Sequence, residues 1–241
     1  MLTNSLECLI WGEAGGGLDY LSNAYQGYQQ MLGPGNMTYK FGLGGNGMEQ
    51  FELFQSNPTH AVNAWIASMN PPETTLRDSF RQFLDSYYGQ QARVLGYSRW
   101  GVKEVRSGPE TASFMKILYP EAKFIFLVRN PFNCLLSIKR RNWMGERNAL
   151  RATANYTRHW RSLAKGFRNA NFGLVVRYED ILNDQETVHK LRDYLEIGKL
   201  DSNFAENSRA DWTTKNKAEL SFFEKRLISA IAKDEIKFYG Y

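Results

Sequence analysis

Two cysteines in 241 residues are too few for a disulfide framework. Cys8 and Cys134 both stand among apolar neighbours, in LECLIW and FNCLLS. They read as buried thiols of a reducing compartment, not as a disulfide or a metal pair. No apolar run approaches the ~20 residues that a helix needs to cross a bilayer. The opening residues MLTNS lack the basic-then-apolar form of a secretory signal, so a cytoplasmic protein without a membrane span is expected. No tract is dense in lysine and arginine either. The formal net charge of +5 suits an anionic small ligand or an acidic acceptor and argues against a nucleic-acid surface. Also missing is G-x-x-x-x-G-K-[ST], the loop with which nucleotide kinases cradle phosphates, which ranks a kinase-like phosphotransferase low.

What is present reads as an α/β protein. A hydrophobic content of 43% with 23% charged residues is that of a globular chain, long enough for one domain with a large core. The most informative stretch is KFIFLVRNPFNCLLSIKRR, residues 123–141. Phe124–Val128 is a short apolar run of the kind buried on both faces of a parallel sheet. Asn130 then supplies an N-cap and Pro131 a first helical residue. Leu135, Leu136 and Ile138 make an apolar helix face, and Lys139, Arg140 and Arg141 suit the negative end of its dipole. A strand that delivers Arg129 to a helix N-terminus predicts an anion site built from free amide N–H groups, the dipole and a guanidinium fork. Ser137, on the same side of the helix as Asn130 or Pro131, adds a hydroxyl.

Around that stretch, strand and helix patterns alternate, which argues for a parallel sheet with crossover helices. Residues 6–12 and 172–177 read as strands, and residues 94–105 as one or two more. Helices are expected from about Asp19, over 48–70 and 73–88, from Pro109 through Leu118, over 146–168 and behind Asp180 or Asp184. Ser221 and Glu224 form a capping box for a last helix. Phe80, Phe83, Leu84 and Tyr87 are expected on one core face. In the helix at 146–168, Leu150, Ala154, Thr157, Trp160, Ala164 and Phe167 keep helical spacing. Gly42, Gly44 and Gly47 match G-x-G-x-x-G by letter only. The residues before them are too polar for a buried strand, and no carboxylate follows near Val62–Ile66, so the segment reads as a surface loop or lid. Glu13 follows the first strand. A carboxylate at the C-terminal end of a strand in an open α/β sheet sits where ligands bind, and is a candidate general base.

The run FLVRNPFNCLLS resembles the 3′-phosphate-binding strand and helix of sulfotransferases that use 3′-phosphoadenosine 5′-phosphosulfate (PAPS). VVRYED resembles their later strand ending in Tyr-Glu-Asp, and FYGY their closing helix with a terminal Gly-Tyr. GVKEVR and WGE are similar to segments of bacterial members. The resemblance implies a P-loop-NTPase-like three-layer sandwich with a mainly parallel central sheet, forming a single domain over residues 1–241. It implies sulfuryl transfer from PAPS, with no metal, to an acceptor hydroxyl or amine on a small molecule, glycan or lipid. Arg129 and Ser137 correspond to the 3′-phosphate ligands, Tyr178 to an adenine contact, Arg209 to an arginine near the 3′-phosphate, and Glu13 to the base. The family's first strand and its 5′-phosphosulfate loop, which precede the strand matched by Leu6–Gly12, find no counterpart in MLTNS. A chain begun downstream of its true start, an inactive relic that keeps the 3′-phosphate site, or a partner supplying the loop would each explain this. Loss of a central strand leaves apolar sheet edges that invite a homo-oligomer.

Overall fold

A computed structural model of the chain describes residues 7–13, 15–32, 55–57, 71–143, 149–198 and 218–241. The readings at 33–47 and at most of 48–70, and Arg209, lie outside these residues. The chain divides into two compact units, one of Cys8–Ala122 and one of Lys123–Tyr241 with the first seven residues.

In the unit of Cys8–Ala122, strand β1 (Cys8–Trp11) pairs in parallel with β2 (Arg99–Val102), Trp11 opposite Val102. Gly15 and Gly16 adopt positive φ of 62° and 86° and turn the chain from β1 into helix α1 (Gly17–Leu32). Leu18, Ser22 and Tyr25 of α1 recur at helical spacing and are buried. Helix α2 (Glu73–Leu84) follows Pro72, continues through a π-helical turn at Asp85–Gly89, and ends as α3 (Gln90–Val94). The helix therefore outruns the expected 73–88, and the region after it holds one strand, β2. Helix α4 (Pro109–Leu118) has proline at its first position, as expected. The core is Leu18, Tyr25, Leu84, Phe114 and Leu118, ringed by aromatic side chains that include Phe80, Tyr88, Trp100 and Tyr119. Phe83 and Tyr87 do not join it. They stack on each other in solvent at 6.0 Å between ring centroids, because the core face of α2 runs through Leu76, Phe80 and Leu84 at intervals of four.

In the other unit, β3 (Ile125–Val128) leads into α5 (Pro131–Arg140), then α6 (Ala149–Asn169), and β4 (Leu174–Arg177). Short helices α7 (Tyr178–Asn183) and α8 (Gln185–Leu195) follow, and α9 (Phe222–Ile231) and α10 (Lys233–Tyr239) close the chain. Strands β3 and β4 are parallel, with Val128 opposite Arg177. Val128, Trp160, Ala164, Ala232 and Tyr239 form the core. The buried stripe of α6 is Ala152, Thr153, Thr157, Trp160 and Ala164, whereas Leu150, expected inside, is exposed. Its threonines are satisfied: Thr153 donates to the buried Glu224 at 3.3 Å, and Thr157 to the Thr153 carbonyl at 2.7 Å. The capping box of Ser221 and Glu224 forms as the sequence predicts, and Asp184, not Asp180, caps α8.

The described residues thus carry α/β structure with two separate pairs of parallel strands, one in each unit. Among them, no helix is long and apolar enough to cross a membrane, and no cluster of three or more His, Cys, Asp or Glu side chains is arranged to hold a metal.

Candidate functional site

Because Val128 and Arg177 are partners in register, the next residues, Arg129 and Tyr178, leave the carboxyl ends of β3 and β4 side by side. The Arg129 guanidinium lies over the Tyr178 ring, 4.8 Å from its centroid.

The backbone beneath that pair is fixed from three sides. The Trp160 indole N–H donates to the Arg129 carbonyl at 2.9 Å. The Asn130 N–H donates to Glu179 Oε1 at 3.0 Å. The Tyr241 hydroxyl is shared between Glu179 Oε2 at 2.9 Å and the Val128 carbonyl at 3.1 Å. Burial, and then the hydrogen bond to Glu179, push the Tyr241 phenol far above its ordinary value, so it remains a donor at any working pH. Nothing local in the sequence marks Glu179, Trp160 and Tyr241 for this junction. Their partners lie 49, 31 and 113 residues away, beyond the reach of local pattern.

The helix N-terminus differs from expectation in one respect. Asn130 Oδ1 accepts from the N–H groups of Phe132 at 2.9 Å and Asn133 at 3.3 Å. The Cys134 N–H donates to the Asn130 carbonyl at 3.0 Å, and Pro131 has no N–H. The first turn of α5 therefore has no amide to give to an anion. The N-cap that makes the helix legible is the group that consumes its donors. What remains is the positive end of the helix dipole and the arginine beside it.

Arg129 is half-buried, and its Nε is buried with no hydrogen-bond acceptor. No carboxylate of the described residues forms an ion pair with it. Glu179, the nearby acid, has both oxygens engaged by Asn130 and Tyr241. Ser137 is half-buried and its hydroxyl bonds to no described residue. It stands seven residues beyond Asn130, which returns it to nearly the same side of α5, away from the buried Pro131 and Leu135. Cys134 is a free thiol behind Arg129. Burial raises its pKa, against a hydrogen bond from Tyr156 and the charge of Arg129, which lower it, so it is a packed thiol and not a nucleophile.

Glu13 lies in the unit of Cys8–Ala122, exposed beyond the carboxyl end of β1. Lys103, beyond the end of β2, reaches its Oε1 at 3.4 Å. The structure therefore brings Arg129 and Tyr178 together within one unit and places Glu13 at a strand end in the other.

A guanidinium with no ion-pair partner among the described residues, at the carboxyl ends of parallel strands, could hold an anion. A family model described as the sulfotransferase family matches residues 34–201, more than half of the chain. The chain belongs to the sulfotransferase family, whose α/β fold is P-loop-like. The matched span includes Arg129, Ser137 and Tyr178 but neither Glu13 nor Arg209. No curated protein matches the chain.

Proposed function

We propose that this sulfotransferase-family chain takes PAPS as donor and transfers its sulfuryl group to an acceptor hydroxyl or amine, with Arg129 and Ser137 gripping the 3′-phosphate. The observation that carries this reading is Arg129, half-buried and without an ion-pair partner among the described residues. A buried cation without a counter-charge costs folding free energy unless an anion reaches it. The planar guanidinium fork matches two oxygens of a phosphate monoester, and the Ser137 hydroxyl adds a third donor from the same side of α5. Since the first-turn amides are spent, these side chains carry the grip. Tyr178 orients the guanidinium with one face of its ring, and an adenine would stack on the opposite face. Arg209 is proposed on the resemblance alone.

The bound donor supplies the activated sulfuryl group. Glu13 receives the proton that the acceptor hydroxyl loses, and its ion pair with Lys103 is exposed and weak enough to exchange. The two units are proposed to belong to one domain of the three-layer, mainly parallel type. The acceptor is a small molecule, glycan or lipid, and no metal is required.

Calorimetry with adenosine 3′,5′-bisphosphate, followed by transfer of labelled sulfate from PAPS to a panel of hydroxyl and amine acceptors, tests the reading. Binding with turnover supports it. Binding without turnover identifies a non-catalytic relic that keeps the 3′-phosphate site. No binding overturns the assignment of Arg129.

A further inference from the structure

On the side of β4 away from β3 runs a cleft of about 470 Å³, floored by Leu174–Arg177 and walled by α8 and α10. The Leu174 N–H donates to the Phe124 carbonyl at 2.8 Å. In a parallel ladder the residues that bond to a given neighbour alternate, so Leu174 and Val176 turn toward β3. Val175 and Arg177 turn the other way. The N–H groups of both, and the Val175 carbonyl, point away from β3 and pair with no strand among the described residues. Val175 is 36% exposed and Phe238, on the α10 wall, 58%.

The charged groups lining the cleft are Arg177, Asp180, Lys190 and Lys237. Asp180 is paired with Arg177 at 3.5 Å. Lys190 from α8 and Lys237 from α10 are exposed and form no ion pair with any described residue. An open strand edge between two unpaired lysines, with apolar contacts at its floor, has the attributes of a β-augmentation site: main-chain bonds for affinity and alternate side chains for selectivity. The lysines decide the occupant. A second copy adding its own β4 across a two-fold axis would bring four lysines together, and like charges at such an edge block self-pairing.

We infer that this edge docks an extended acidic peptide segment of another protein, which adds as a strand to β4 with its acidic side chains directed to Lys190 and Lys237. Arg129 does not line the cleft, and docking there does not depend on sulfuryl transfer, so the two readings fail separately.

The test uses the full chain and a fluorescent heptapeptide of alternating glutamate and valine, with an alternating lysine and valine peptide as control. Anisotropy should show binding of the acidic peptide that weakens with salt, and none of the basic one. Lys190→Glu with Lys237→Glu should reverse that preference, with a change on the order of tenfold or more for each peptide. Amide hydrogen exchange should slow at Val175 and Arg177 when the acidic peptide is bound. Absence of binding, equal binding of both peptides, a preference indifferent to the charge reversal, or unchanged exchange at those two amides would each overturn the proposal. So would a dimer in sedimentation whose formation slows exchange at the same amides.

Discussion

Arg129 and Tyr178 are 49 residues apart in sequence, yet the guanidinium of one sits 4.8 Å from the ring centroid of the other. The parallel register of β3 and β4 causes this, since it carries the residues after Val128 and Arg177 out of the sheet together. A cation held over a π-face is oriented but not neutralised. The charge stays available to a ligand.

That arrangement separates two roles of Tyr178. Tyr178→Phe keeps the ring and should leave the affinity for adenosine 3′,5′-bisphosphate within about twofold. Tyr178→Leu removes the quadrupole and should cost about 0.5–2 kcal/mol of binding. Calorimetry on both variants checks this, and equal losses in the two would assign the role to the hydroxyl.

The Tyr241 hydroxyl connects Val128 to Glu179, and Glu179 in turn holds the Asn130 N–H. Tyr241→Phe should lower stability by about 1–3 kcal/mol, because it leaves buried acceptors without their donor. Urea unfolding measures the loss. Nucleotide affinity should fall as well, since the turn that carries Arg129 loses one of its anchors. Full affinity in a destabilised variant would show that Tyr241 supports the fold alone.

Glu224 predicts a pH dependence. Burial pushes its pKa up, but the Ser221 N–H, the Lys139 ammonium and the Ser221 hydroxyl together outweigh burial and hold it below the ordinary glutamate value. A depressed carboxylate stabilises the fold above its unfolded pKa, near 4.3, and that contribution is lost as pH falls through the folded value. Wild-type stability should therefore decline on acidification below about pH 5, and Glu224→Gln should flatten part of the decline. Lys139→Met should cost roughly 2–4 kcal/mol at neutral pH by leaving a buried carboxylate without its cation. Denaturation midpoints across pH check both.

If Glu13 accepts the acceptor's proton, Glu13→Gln should lower kcat by about 10²–10⁴-fold and leave binding of adenosine 3′,5′-bisphosphate unchanged. Single-turnover assays beside calorimetry distinguish this from a change in the nucleotide site. An unchanged rate would leave Glu13 as the surface partner of Lys103.

The junction at Arg129 was legible because its code is local: an apolar run, an N-cap asparagine and a first-turn proline occupy consecutive positions. The capping box at Ser221 was legible for the same reason. Features set by distant contacts were not. Gly89 continues the helix through a π-helical turn, where a Cβ would come within 2.9 Å of Trp100 Nε1, and that proximity leaves no mark in residues 73–94. Thr153 is buried in place of Leu150 because Glu224, 71 residues away, accepts its hydroxyl. Loss of the anion-ready amides follows from Asn130, whose cap is legible in the sequence while its capture of the Phe132 and Asn133 N–H groups shows only in the structure. Strand pairing within each unit agrees with the parallel α/β expectation, and residues such as Phe83 and Tyr87 show that aromatic character alone does not mark a core face.

The measurement closest to the central claim compares two nucleotides on two proteins. Adenosine 3′,5′-bisphosphate and adenosine 5′-phosphate are titrated into the wild type and into Arg129→Ala, with circular dichroism to establish that the variant is folded. If Arg129 holds the 3′-phosphate, the substitution should weaken the bisphosphate by about a hundredfold and leave the monophosphate nearly unaffected. An equal effect on both nucleotides, or none on either, would contradict the assignment.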